Sequence, residues 1–161
     1  TRDREEGFLE AVKKAPEIEV VSDNQYAGAT TETAASASES LLLAKNAAKG
    51  GLQGVFTPNE STSFGMLRAL ENTKLDGKLR FVGFDASDKL VEAVRKGSID
   101  GLVLQNPFNM GYLAVKAITA KLKNQPVEAR TDTGAELLDK QNIDEPAMKE
   151  LVKPDLAKWL Q

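Results

Sequence analysis

The chain has 161 residues and a formal net charge of -3, enough for one domain of ordinary size and too few for two. Its 41% hydrophobic and 28% charged residues supply a core and a solvated surface, and the basic residues alternate with acids, which excludes a strong pull toward nucleic acid or an anionic membrane. Cys and His are both absent, which excludes disulfides, thiolate nucleophiles, zinc–thiolate and His-ligated metal sites, and Ser–His–Asp or Cys–His catalysis.

The segment Asp3–Ala15 carries Phe8, Leu9 and Val12 on one face, with Asp3 and Glu6 as a capping pair, and predicts a helix that Pro16 stops. Ile18, Val20 and Val21 predict a short strand. Thr30–Ala48 is an Ala- and Ser-rich helix closed by Gly50-Gly51, and Gln53–Thr57 is the next strand. A helix over Ser61–Asn72, a strand over Leu79–Phe84, a helix over Lys89–Lys96 closed by Gly97 and a strand over Ile99–Gln105 follow in turn. Gly111–Leu122 predicts an amphipathic helix, Val127–Arg130 and Ala135–Leu138 strands, and Glu145–Leu160 a polar helical tail broken at Pro154.

Helices alternating with short apolar strands predict an α/β fold: a doubly wound, mostly parallel sheet in a three-layer αβα arrangement. No apolar run approaches the roughly 18 residues of a membrane span, and the opening residues do not read as a signal peptide. The charged opening Thr1-Arg2-Asp3-Arg4-Glu5-Glu6 enters a helix at once, so the chain is expected to be a fragment.

Ligands of such sheets bind outside the carboxyl ends of the strands. The residues there are Asn24, Gln25 and Tyr26, then Pro58, Asn59 and Glu60, then Phe84 and Asp85, then Gln105 and Asn106, with Arg4 at the opening of the first helix. Amides, a carboxylate, a guanidinium and aromatic rings suit a polyol, whose hydroxyls donate and accept and whose C–H faces stack on rings. The competing account is helix capping, since Asp or Asn after a parallel strand commonly caps the next helix. Glu60 and Asp85 could form a glycosidase pair, but no feature requires it.

Five segments, in order, resemble one family. Arg4-Glu5-Glu6-Gly7-Phe8 resembles the Arg-x-x-Gly-Phe segment of ribose- and galactose-binding receptors. Val55-Phe56-Thr57-Pro58-Asn59-Glu60 is similar to their strand–Asn–acid–helix step, and Phe81-Val82-Gly83-Phe84-Asp85 to their Val-Gly-Phe-Asp signature. Gly101-Leu102-Val103-Leu104-Gln105-Asn106-Pro107 is similar to their closing crossover, and Asp132-Thr133-Gly134 with Lys140-Gln141-Asn142-Ile143-Asp144 to their C-terminal segment.

The resemblance implies one lobe of a type I periplasmic binding protein fold, incomplete: a C-terminal lobe over residues 1–144 and a helical tail over 145–161. It implies a receptor for a ribose-like pentose or a hexose that feeds an ABC-type importer through its membrane permease, periplasmic or extracellular and membrane-associated if a lipoprotein. It implies no cofactor, no metal and no enzymatic activity. The implied ligand contacts are Arg4, Tyr26 (or Gln25 in its place), Asn59, Phe84, Asp85 and Gln105. The alternative is the effector domain of a lactose-repressor-type transcriptional repressor, which shares the fold. The resemblance further implies that the helix over 109–123 packs on an N-terminal lobe with no counterpart here. Self-association, with or without exchanged elements, or a different placement of that helix is therefore expected.

Overall fold

The computed structural model describes residues 1–158. Four strands, β1 (Gly54–Phe56), β2 (Arg80–Phe84), β3 (Gly101–Leu104) and β4 (Glu136–Asp139), form one open sheet in that spatial order. The first three are parallel, with Val55 beside Phe81 and Gly83 beside Leu102. β4 is antiparallel and sets Leu138 against Leu102. The helices are α1 (Arg2–Val12), α2 (Thr31–Ala44), α3 (Glu60–Asn72), α4 (Asp88–Lys96), α5 (Pro107–Leu122) and α6 (Pro146–Val152). This is the α/β architecture with a mostly parallel sheet that the alternating periodicities predict.

Local chemistry sets the helix ends. Thr30 and Thr33 form a reciprocal capping box at α2. The Asn59 side chain accepts from the Thr62 N–H at α3, and Gly97, at φ +85°, closes α4 in the left-handed region. The core joins Leu70, Phe81, Leu90, Val94, Ile99, Leu102 and Leu138, all fully buried. Phe81, Gly83 and Phe84 are all buried, as expected for a parallel strand covered on both faces. α2 lies directly on α3 because Gly65 has no side chain: a Cβ there would stand 2.5 Å from the Ala34 Cβ.

The structure departs from the sequence expectations at several points. Residues 17–28 are irregular, so the strand predicted at Ile18, Val20 and Val21 does not form. β-branched residues make a strand only beside a partner edge, and these three are 39–52% exposed, with the Val21 carbonyl accepting from Lys45 Nζ instead. The strand predicted over Val127–Arg130 does not form either, and the chain bends at Ala129. The Asp3–Glu6 capping pair is absent: Glu6 accepts from Arg2 Nε at 2.8 Å, and Thr1 occupies the cap position. α5 begins at Pro107, four residues before the predicted start, because Asn106 accepts from the Asn109 N–H and Pro107 suits the first helical position.

No residue of α5 is buried. In the predicted tail, Met148 of α6 joins the core and the chain breaks near Pro154 before a single 3-10 turn. The part of that tail over residues 159–161 lies outside the described residues.

Candidate functional site

Four sequence-predicted residues converge at the carboxyl ends of β2 and β3. Asp85 follows β2 directly, and its N–H still bonds to the Val103 carbonyl at 2.9 Å. Its φ is +64°, a left-handed conformation that Asp tolerates better than most side chains. Gln105 follows β3, and its Nε2 donates to Asp85 Oδ1 at 2.5 Å.

Arg4 reaches the same place from α1. Its Nη1 donates to the Pro58 carbonyl at 2.8 Å and lies 3.6 Å from Asp85 Oδ2. Its guanidinium carbon sits 3.9 Å from the centroid of the Phe84 ring. No residue of α1 is buried, so the helix depends on a few contacts. Phe8, one turn beyond Arg4 on the same face, stacks on Phe56 of β1 with centroids 4.5 Å apart and rings 4° from parallel. That stack fixes the helix so that Arg4 covers the strand ends.

Asn59 stands at the end of β1, and the capping account holds for its oxygen, which accepts from the Thr62 N–H and from the hydroxyls of Ser61 and Thr62. Its amide N–H donors are not used by the described residues. Asp85 is different: Ser87, not Asp85, occupies the cap position of α4. The capping account therefore fails for Asp85, whose carboxylate is left to Arg4 and Gln105.

Phe84 is 8% exposed and carries Arg4 over its ring, so it supports the guanidinium instead of presenting an open face to a ligand. Tyr26 is 89% exposed on the irregular segment, and no contact ties it to the cluster. Gln25 donates to Asn24 and does not take its place.

The arrangement is electrically balanced. Arg4 and Asp85 compensate each other at roughly a quarter exposure each, so a ligand need bring no charge. Hydroxyls suit it: an O–H can donate to Asp85, and its oxygen can accept from Arg4, Gln105 or Asn59. Among the described residues no group of three or more acidic side chains could hold a metal.

Two contributors escaped the sequence reading. The Pro58 carbonyl anchors Arg4, and the buried Ser63 hydroxyl joins the ends of β1 and β2. A main-chain acceptor leaves no signature in a sequence. Ser63 carries a weak one, a small hydroxyl four residues after a helix cap.

A family profile described as a periplasmic binding protein domain matches residues 1–126. The ribose import binding protein of Haemophilus influenzae is 33% identical over 129 residues, covering 80% of this chain and 41% of that protein. The ribose import binding protein of Escherichia coli is 30% identical over 140 residues, covering 87% of this chain and 45% of its own length. Two solved structures superpose with a TM-score of 0.81. An ABC transporter solute binding protein from Agrobacterium vitis with bound D-fucose is 33% identical, over 91% of this chain and 49% of that one. A carbohydrate transporter solute binding protein from Agrobacterium radiobacter in complex with D-arabinose is 36% identical, over 91% and 48%. The chain spans less than half the length of each of these relatives.

Proposed function

This chain belongs to the periplasmic binding protein domain family, and from that premise we propose that it forms one wall of a monosaccharide site in a receptor serving an ABC-type sugar importer. The observation that carries this is the convergence of Arg4, Asp85 and Gln105, from three separate segments, on one charge-balanced point. Relatives that carry this fold bind D-fucose and D-arabinose, so the ligand class is a neutral pentose or hexose. The work is binding and release, without catalysis. The relatives' greater length supports a second lobe facing this wall, and α5, with its exposed apolar stripe, is the element placed to dock on it. A membrane permease is the partner in this scheme, and the setting is periplasmic or extracellular. Among the described residues no helix is long and apolar enough to cross a membrane.

The test is a two-dimensional NMR titration of the chain with D-ribose, D-arabinose and D-fucose. One wall binds more weakly than a closed cleft, so fast-exchange shifts are expected at Asn59, Asp85 and Gln105. They should vanish in Asp85→Ala. Site resonances that ignore all three sugars, or respond equally in Asp85→Ala, would overturn the proposal.

A further inference from the structure

We propose that Ser63 is a positioning residue for this site, its buried hydroxyl setting the spacing between the Asn59 turn and the Asp85 turn; the functional part of this rests on the sugar-site proposal above. Ser63 is 0% exposed in the first turn of α3. Its Oγ lies 2.8 Å from the Asn59 carbonyl oxygen, 2.9 Å from Thr57 Oγ1, 3.0 Å from the Phe84 nitrogen and 3.2 Å from the Phe84 carbonyl oxygen. One hydroxyl therefore touches the turn that carries Asn59 and the strand end that leads into Asp85.

The strand register explains why a side chain is needed there. The last β1–β2 bond runs from the Thr57 N–H to the Val82 carbonyl. In a regular parallel ladder the next bond would run from the Phe84 N–H to the Thr57 carbonyl. The Phe84 N–H goes to Ser63 Oγ instead. β1 is thus released from β2 at Thr57, and the strand ends part just before Pro58, whose carbonyl holds Arg4.

Ser63 satisfies the donor freed by this parting, which would otherwise be buried and unpaired. Gly83 admits the contact: a Cβ at that position would stand 2.8 Å from Ser63 Oγ. Arg4, Asn59, Phe84 and Asp85 are therefore held in register through one hydroxyl that touches no ligand position itself.

The test has a ligand-free and a liganded arm on the full chain. Ser63→Ala should shift the side-chain amide resonances of Asn59 and Gln105 and speed hydrogen exchange of the Phe84 amide by roughly tenfold. D-ribose binding should weaken by a similar factor, roughly tenfold. Thr57→Val removes a buried hydroxyl without touching Phe84; it should lower the melting temperature while leaving the Gln105 amide in place.

If Ser63→Ala does not fold, Ser63→Cys, a weaker donor and acceptor, should show the same shifts at smaller size. Unmoved Asn59 and Gln105 amides in the folded variant would mean a merely structural role and overturn the inference. A parent chain that ignores every sugar would overturn the sugar site instead, and the ligand-free arm would still decide the role of Ser63.

Discussion

Gln105 and Asp85 leave the ends of adjacent parallel strands and meet through a side-chain hydrogen bond, Nε2 to Oδ1 at 2.5 Å. A ligand hydroxyl that donates to Asp85 competes with this amide. The bond holds the carboxylate in place before a ligand arrives, and it frees an amide of either polarity once the carboxylate is taken.

Arg4 is held through its guanidinium: Nη1 donates to the Pro58 carbonyl and lies near Asp85, and the central carbon sits over the Phe84 ring. Lysine keeps the charge and loses the plane. Arg4→Lys is expected to weaken D-ribose binding by roughly tenfold with little change in melting temperature, since a partly exposed charge pair adds little to stability. Titration and thermal melting of the same sample check this; equal affinity for Arg4→Lys would show that charge alone suffices.

Gly65→Ala sets helix propensity against packing. Alanine inside a helix gains about 1 kcal/mol over glycine. Here the new Cβ would meet the Ala34 Cβ at 2.5 Å and the Ala34 carbonyl carbon at 2.7 Å, within a helix–helix contact that includes backbone. Packing wins, and a net loss of about 1–3 kcal/mol is expected from urea denaturation.

Asp144 accepts from Arg95 Nη1 and Nη2 at 3.0 Å each and lies 3.2 Å from Lys149 Nζ. The Arg95 hydrogen bonds, then the Lys149 contact, hold its carboxyl below the ordinary 3.8. A lowered pKa in the folded state favours folding when the group is ionised. This contribution is complete above the ordinary value and disappears as pH falls through the lowered one. Asp144→Asn should remove that part of the acid dependence, with a small effect at neutral pH and a smaller one in salt. Denaturation midpoints of both proteins across the acid range measure it.

Tyr112, Val115, Ile118 and Leu122 lie along one stripe of α5 and are 53–80% exposed. Without a second lobe to cover them, chains should associate through this helix. Sedimentation velocity should find concentration-dependent dimers, and Ile118→Ser should shift them toward monomer. A monomer at every concentration would refute the idea.

Where an element depends on neighbours in sequence, it was legible in advance. The glycine that closes α4 is such a local signal. The strand expected at Ile18–Val21 failed because a strand is half of a pair, and its β-branched residues say nothing about whether a partner edge lies alongside. Tyr26 follows that irregular segment and stands 89% exposed, away from the Arg4–Asp85–Gln105 cluster.

The sequence by itself determined the α/β class, the family resemblance and a candidate-site chemistry of amides, one carboxylate, one guanidinium and aromatic rings. Those follow from residue types and their order. Tertiary structure alone decided that Asn59 spends its oxygen as a helix cap while Asp85 does not, that Phe84 supports Arg4, and that Pro58 and Ser63 brace the site. Those are choices among partners distant in sequence, and a hydrogen bond is assigned only when folding has brought donor and acceptor within about 3 Å.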